Sequence, residues 1–142
     1  MTYSDRGLAL TKGFEGLRLF AYQDVAGVWT IGYGHTGPEV VEGLVWTQEQ
    51  ADAALLANTG EAQACVNGGV ESAINQNQFD AMVDFTFNAG RGAFLGSTLL
   101  RMVNASNFEG AYGQFGLWVH AGGNVVAGLV RRRKAEAEMF IA

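Results

Sequence analysis

The stretch that decides the fold runs from Glu15 to His35 and reads EGLRLFAYQDVAGVWTIGYGH. Before it, the apolar spacing and Ser4 as an N-terminal cap predict a short helix that ends at Glu15, and after it the alternation of β-formers predicts a hairpin. Asp24 follows Glu15 by nine residues, and Thr30 follows Asp24 by six. Two carboxyl groups and a hydroxyl therefore come from two different elements. Such a set suits hydrolysis of a glycosidic bond when a water fits between the carboxyl groups.

The rest of the chain predicts an α+β domain. A third short strand around 43–45 completes a small sheet, and Thr47-Gln48-Glu49-Gln50 has the form of a capping box that opens a helix. The helices that the pattern predicts after the sheet span 51–65, 73–89, 98–104, 108–120 and 128–141. We expect a single domain over residues 1–142, with a small N-terminal antiparallel sheet lobe at about 15–46, a larger C-terminal helical lobe at about 47–142, and a cleft between the lobes.

Composition limits the class of protein. The chain has 142 residues, 49% apolar and 16% charged, which is enough for one hydrophobic core. No apolar run approaches the ~18 residues of a membrane span, and the N-terminus lacks the basic-then-apolar order of a secretory signal. The formal net charge of −5 argues against nucleic acid as a partner. Cys65 is the single cysteine, which excludes an internal disulfide and fits a small buried hydrophobe.

Each of the three polar residues also has an ordinary structural interpretation. Glu15, in the last turn of a helix, faces the negative end of the helix dipole, which costs about 0.3–1 kcal/mol and favours the protonated form that a general acid needs. A surface glutamate is the ordinary alternative. Asp24 is equally typical of a turn, and Thr30 of a strand. Only their joint spacing favours an acid, a base and a water-binding hydroxyl.

Residues 32–37 match the dinucleotide-binding pattern G-x-G-x-x-G, but the context argues against that function. Pro38 and a predicted strand follow instead of a helix N-terminus. The glycines are better explained by a substrate chain that approaches the backbone closely. His35, His120 and Cys65 are scattered along the chain, so the sequence supports no metal site and no cofactor is expected. We expect His35 to be structural, its imidazole held by a nearby carboxylate or backbone group.

The segment from Glu15 to His35 resembles the catalytic segment of the bacteriophage-type lysozymes, or endolysins, of glycoside hydrolase family 24. A second segment, GLVRRRKAE at 128–136, is similar to the start of that family's last helix. The resemblance implies a lysozyme-like fold in which Glu15 is the general acid and Asp24, with Thr30, holds and activates the attacking water. It also implies substrate contacts at Gly34, Thr36, Phe87 and Ser97, with core packing as the alternative for Phe87.

In the family, one arginine of the last helix leans toward the catalytic glutamate. On a helical wheel Arg133 shares the apolar stripe of Leu129 and Phe140, so Arg133 is the candidate for a buried partner. Arg131 and Lys134 are expected to form a solvated basic face.

The implied function is hydrolysis of the β-1,4 bond between N-acetylmuramic acid and N-acetylglucosamine in bacterial peptidoglycan, with inversion, for host cell lysis. The resemblance further implies a monomer that is made in the host cytoplasm, does not insert into membranes, and reaches the wall through a separate holin-like pore. Two alternatives stay open. A lytic transglycosylase needs one acid and no water, so Asp24 and Thr30 argue against it. A non-catalytic peptidoglycan-binding module is disfavoured by the intact pair of Glu15 and Asp24.

Overall fold

The computed structural model describes residues 1–142. Contacts divide the chain into two compact units. The first, which we call the sheet unit, is Thr11–Gly60, and the second, the helical unit, combines Met1–Leu10 with Glu61–Ala142. Small antiparallel sheets and a larger helical part confirm the predicted α+β class.

Helix α1, Asp5–Glu15, begins and ends where the sequence predicts. The Ser4 hydroxyl accepts a hydrogen bond from the Gly7 N–H at 3.1 Å, which caps the first turn. Gly16 follows with φ +71°, a backbone conformation that favours glycine and ends the helix. Glu15 is therefore the last helical residue before the sheet.

Three antiparallel strands form the main sheet: β1 (Arg18–Gln23), β2 (Trp29–Gly32) and β3 (His35–Thr36), paired in chain order. The prediction of the third strand at 43–45 is wrong, because that segment forms no strand: it meets β1 through a single bridge from Val45 to Phe20, with a backbone hydrogen bond on either side. The chain instead reverses directly after β2, where Gly32 and Gly34 take φ values of +67° and +87°. These glycines allow β3 to follow at once.

Two helices follow, α2 (Gln48–Asn58) and α3 (Gly60–Gly69). The predicted capping box is confirmed, since Thr47 and Gln50 each accept the other's backbone N–H through the side chain. The prediction that 51–65 is helical is confirmed, apart from a break at Thr59 between α2 and α3. The Thr59 hydroxyl donates to the Leu56 carbonyl at 2.7 Å, and such a local bond competes with helix continuation before Gly60. Helix α2 packs on β2, so the sheet unit extends past residue 46.

The helical unit contains seven further elements and one short 3₁₀ turn. They are α4 (Gln76–Ala89), α5 (Arg91–Leu95), α6 (Thr98–Asn104), α7 (Phe108–Gln114), the 3₁₀ turn (Phe115–Leu117), β4 (His120–Ala121), β5 (Asn124–Val125) and α8 (Ala127–Ile141). The predicted helix over 108–120 is wrong beyond Gln114, because a 3₁₀ turn follows and His120 begins β4, which pairs with β5 as a hairpin. Gly122 and Gly123, with φ +58° and +82°, form the two-residue turn that such a hairpin requires.

Aromatic side chains dominate the core of the helical unit. Phe85 of α4 is inaccessible and packs edge-on against Phe115, which in turn contacts Phe140 of α8. Cys65 is buried, as predicted, and burial raises the pKa of its thiol. None of the helices combines the length and the apolar character that crossing a membrane requires.

Candidate active site

Glu15 lies half-buried at the C-terminal end of α1. Its carboxylate faces the turn between β2 and β3, since a Cβ placed on Gly34 would lie 3.8 Å from Glu15 Oε2. A glycine at this position therefore leaves the backbone of the turn directly beside the carboxylate. This contact puts Glu15 at the Gly32 end of β2.

Asp24 lies at the other end of β2, in the turn that joins β1 to β2. Its Oδ1 accepts hydrogen bonds from the N–H groups of Ala26 at 2.8 Å and Val28 at 2.9 Å. The Asp24 N–H donates to the Val28 carbonyl at 2.9 Å. Asp24 is thus a turn residue, as its ordinary interpretation has it. Its second oxygen, Oδ2, takes part in neither of these bonds to Ala26 and Val28 and can interact with a water or a substrate.

Thr30 is central in β2, where it pairs with Tyr22 of β1 and Thr36 of β3. The side chain is buried, and its hydroxyl donates to the Val28 carbonyl at 3.0 Å. Its oxygen can still accept a hydrogen bond. Asp24 and Thr30 thus share Val28 as a partner, Asp24 through the N–H and Thr30 through the carbonyl.

His35, which begins β3, is held by side chains as predicted. Its Nε2 lies 2.6 Å from Glu39 Oε1, its Nδ1 lies 2.9 Å from Asn58 Nδ2, and its ring packs against Trp46. Because the Asn58 amide nitrogen can only donate, Nδ1 accepts and Nε2 carries the proton that is donated to Glu39. This hydrogen bond lowers the pKa of the Glu39 carboxyl. The neighbouring Thr36, a predicted substrate contact, is exposed.

A second polar group in the sheet unit escaped the sequence analysis. Lys12 Nζ lies 3.0 Å from Asp52 Oδ1, and the Gln48 amide donates both to Asp52 at 2.7 Å and to the Tyr33 hydroxyl at 3.0 Å. Lys12, followed by Gln48, lowers the pKa of the Asp52 carboxyl. No motif reveals this group, because its members come from α1, the β2–β3 turn and α2.

Two predicted substrate contacts belong to the helical unit. Ser97 is buried and caps α6: its hydroxyl accepts from the Leu100 N–H at 3.0 Å and donates to the Phe94 carbonyl at 2.7 Å. Phe87 is half-buried and packs against the core, which is the alternative that the sequence left open. Contact of either residue with sugar stays a prediction.

Two consecutive arginines of α8 are buried, although the sequence singled out only Arg133. Arg133 donates to Asn88 and lies over the Phe85 ring. Arg132 forms a bidentate pair with Asp84 of α4, with Nε to Oδ2 and Nη2 to Oδ1 both at 2.9 Å. The helical-wheel analysis missed Arg132 because it selected residues on the apolar stripe of the helix. Arg132 is buried against a carboxylate of α4, Asp84, and an apolar stripe does not reveal such a partner.

Glu136, also on α8, completes this buried cluster. Arg133 Nε lies 3.1 Å from its Oε1 and Arg132 Nε lies 3.9 Å from its Oε2, yet neither oxygen accepts a hydrogen bond. Burial, together with the neighbouring Asp84 carboxyl, raises the pKa of Glu136 well above its ordinary value. Burial also lowers the pKa of Arg133.

The glycine pattern at 32–37 lies on the β2–β3 turn and the loop beyond β3, which no helix follows directly. It therefore lacks the strand-to-helix turn of a dinucleotide site. No group of three or more His, Cys, Asp or Glu side chains is arranged to hold a metal ion.

Comparison with known proteins agrees with this fold. The phage lysozyme family model matches residues 12–136. An endolysin of Acyrthosiphon pisum secondary endosymbiont phage 1 is 43% identical over 99% of this chain and 98% of its own length. The crystal structure of a mutant P22 lysozyme is 38% identical, with a TM-score of 0.94 over 100% of this chain and 99% of that one. The muramidase domain of SpmX from Asticaccaulis excentricus is 41% identical, with a TM-score of 0.89 over 99% and 98% of the two chains. The chain therefore belongs to the phage lysozyme family, the glycoside hydrolases that cleave bacterial peptidoglycan during lysis.

Proposed function

We propose that Glu15, Asp24 and Thr30 hydrolyse the β-1,4 bond between N-acetylmuramic acid and N-acetylglucosamine, with inversion at the anomeric carbon. One observation carries the proposal. The Glu15 carboxylate faces Gly34 at one end of β2, while two backbone N–H groups hold the Asp24 carboxylate at the other end. The two carboxyl groups are thus fixed from separate elements with β2 between them.

The proposed acid is Glu15, which protonates the leaving oxygen. Its support is positional: it ends a helix, it is half-buried, and it has the backbone of a glycine beside it. A sugar ring can approach such a backbone without meeting a side chain. On this proposal Gly34 and Thr36, which is exposed on β3, contact the substrate, and Phe87 and Ser97 do so from the helical unit.

The proposed base is Asp24, which with Thr30 orients the attacking water. Asp24 bonds to the backbone at Val28, and Gly32 lies four positions further along the chain, a rise of roughly 13 Å in an extended strand. The Asp24 side chain is held in its own turn through Oδ1. That rise supports carboxyl groups farther apart than the roughly 5–5.5 Å of a direct nucleophile, which leaves room for a water.

The test of the acid is Glu15→Gln, which keeps the shape of the side chain and removes its proton. General acid catalysis contributes roughly 10²–10⁴ in rate, so we expect at least a hundredfold loss in clearing of purified peptidoglycan. Glu42→Gln, an exposed glutamate of the same unit, is the matched control. Near wild-type clearing by a Glu15→Gln variant that circular dichroism shows to be folded would remove Glu15 from the mechanism.

The stereochemistry tests Asp24 and Thr30. Proton NMR of a soluble β-linked muropeptide oligomer, recorded before mutarotation, is expected to show the α-anomer of the new reducing end first. Initial appearance of the β-anomer would make Asp24 a covalent nucleophile. An anhydro-muramic product in the same digest would indicate a lytic transglycosylase instead, and an oligomer left uncleaved would indicate a binding module.

We also propose that the protein is a monomer made in the host cytoplasm and released to the wall by a separate holin-like pore. Its one thiol, Cys65, is buried and has a raised pKa, so the fold suits a reducing compartment. Expression inside a bacterial host, with and without a co-expressed pore protein, tests the release step. Lysis at the same time in both cultures would exclude dependence on the pore, and a dimer by sedimentation would exclude the monomer.

A further inference from the structure

Four side chains of the sheet unit form a continuous polar connection, which we call the Lys12–Tyr33 clamp: Lys12, Tyr33, Gln48 and Asp52. Lys12 pairs with Asp52 at 3.0 Å, Gln48 donates to Asp52 at 2.7 Å, and Gln48 donates to the Tyr33 hydroxyl at 3.0 Å. The Lys12 ammonium also lies 5.9 Å from the centre of the Tyr33 ring. The connection thus runs from α1 through α2 to the β2–β3 turn.

Both ends of the clamp lie beside Glu15. Lys12 precedes Glu15 by three residues, which puts the two side chains on one face of the last turns of α1. Tyr33 lies between Gly32 and Gly34, and Gly34 is the residue that Glu15 Oε2 faces. The clamp therefore joins the end of α1 to the β2–β3 turn. The separation of these two segments sets the distance from the Glu15 carboxylate to the turn.

Covalent structure alone does not fix that distance. Glu15 is the last residue of α1, and Gly16 in a left-handed conformation follows it. On the other side, Gly32 and Gly34 flank Tyr33 in positive-φ conformations. Glycines lose the most freedom on ordering, so a tether between these segments reduces their relative motion.

The clamp is also poorly placed to serve stability. The Lys12 and Asp52 side chains are 28% and 35% exposed, and ion pairs at such positions contribute little to the free energy of unfolding. Lys12 lowers the pKa of Asp52, so the Asp52 carboxylate stays ionised through the neutral range.

We propose that Lys12, Asp52, Gln48 and Tyr33 are positioning residues, which hold the end of α1 against the β2–β3 turn and thereby set the position of Glu15 for proton transfer. This inference rests on the proposed role of Glu15. A displacement of 1 Å in a reacting group can cost roughly 10²-fold in rate. Loosening one tether moves Glu15 by less, and the expected loss is about tenfold in kcat with KM unchanged.

Tyr33→Phe is the decisive variant, because it removes the hydroxyl that Gln48 bonds and leaves every charge in place. A fall in kcat then cannot come from changed electrostatics around Glu15. Asp52→Asn breaks the ion pair at constant shape, and serves as the second variant if Tyr33→Phe fails to fold. Lys12→Met should repeat the loss, and Lys12→Arg, which can restore the ion pair, should recover it. Tyr112→Phe and Lys134→Met, exposed in the helical unit, are the matched controls.

The measurement is kcat and KM on a soluble muropeptide oligomer, with the Tm of each variant and Glu15→Gln in parallel. About a tenfold fall in kcat at unchanged KM and Tm, recovered in Lys12→Arg, supports positioning. Wild-type kcat in Tyr33→Phe and Asp52→Asn overturns it, as does a loss that disappears when the assay is run well below the Tm. If Glu15→Gln is inactive while the clamp variants are not, only the positioning inference falls. If Glu15→Gln is active, the proposed function itself falls.

Discussion

The two units differ in how deeply their clusters of ionisable side chains are buried. In the sheet unit, the Lys12–Asp52 and His35–Glu39 pairs lie at the surface, where the Asp52 and Glu39 side chains are 35% and 57% exposed. In the helical unit the Arg91–Glu61 pair is also exposed, but Asp84, Arg132, Arg133 and Glu136 form a cluster of ionisable side chains that are at most 6% exposed. Exposed pairs add little to stability, whereas breaking a buried pair is costly.

The cores of the two units also differ, in the number and the size of the side chains that they bury. The sheet unit buries a few small or aliphatic side chains, chiefly Ile31, Ala51 and Leu55. The helical unit buries a cluster of phenylalanines together with the Asp84–Arg132 pair. We infer that replacing a charged side chain in the sheet unit affects activity more than stability. In the helical unit, such a replacement affects stability more than activity.

The largest expected effect is from Asp84→Asn in the helical unit. It keeps the shape of the side chain but leaves the buried Arg132 guanidinium without its charged bidentate partner. We expect a loss of about 3–5 kcal/mol in the free energy of unfolding, measured by urea titration with circular dichroism. Glu138→Gln, exposed on the same helix α8, is the control and should change little. A loss below about 1 kcal/mol for Asp84→Asn would contradict the contrast between the units.

The second test uses two glycines of one helix, α1. Gly7 belongs to the helical unit, and a Cβ there would overlap the Tyr3 ring and lie 2.8 Å from Asp80 Cγ. Both neighbours are buried, so Gly7→Ala should cost about 1–3 kcal/mol by overpacking. Gly13 belongs to the sheet unit and has nothing within 4 Å of its Cβ position. Gly13→Ala should stabilise by about 0.5–1 kcal/mol through helix propensity.

Thermal and urea unfolding of both variants, measured under the same conditions, test whether Gly7→Ala destabilises the protein and Gly13→Ala stabilises it. Because the substitution and the helix are the same, any difference comes from what surrounds each position. Equal effects at Gly7 and Gly13 would show that Tyr3 and Asp80 move aside at no cost, and would weaken the distinction between the packed and open halves of α1.

Local sequence signals predicted the part of the fold that depends on neighbouring residues. Ser4 caps α1, the Thr47–Gln50 box opens α2, and α1 and α4 end at Glu15 and Ala89, all as the sequence predicted. The spacing from Glu15 through Asp24 to Thr30 likewise described one short segment. Such signals act over three or four residues, so they can be read without knowledge of the rest of the chain.

What the sequence missed depends on contacts between distant segments. The third strand was misplaced because strand propensity does not reveal pairing: β3 at His35 forms a ladder with β2, whereas Val45 makes a single bridge to Phe20 of β1. Burial of Arg132 depends on Asp84, 48 residues earlier in the chain, and the Lys12–Tyr33 clamp depends on three separate elements. Polar partners of this kind leave no periodic pattern.

The smallest expected effect is a difference in how stability depends on pH. The Glu136 pKa is raised above its ordinary value of 4.5 in the folded protein, so the native state keeps a proton that the unfolded chain releases. Stability should therefore fall as the pH rises from about 4.5 through the raised pKa, by at most about 1.4 kcal/mol per pH unit. In the sheet unit the sign is opposite, since the pKa values of Asp52 and Glu39 are lowered and their contribution is lost as the pH falls.

Glu136→Gln isolates the helical contribution, because glutamine resembles the protonated carboxyl and does not titrate. Urea unfolding at a series of pH values should give similar stabilities for wild type and Glu136→Gln in acid, and an advantage for the variant that grows as the pH rises. Glu138→Gln, exposed on the same helix, should follow wild type throughout. If wild type instead becomes the more stable protein as the pH rises, Glu136 is ionised in the fold and paired with Arg133. The buried cluster would then resemble the surface pairs of the sheet unit in its response to pH, and only its burial would set it apart.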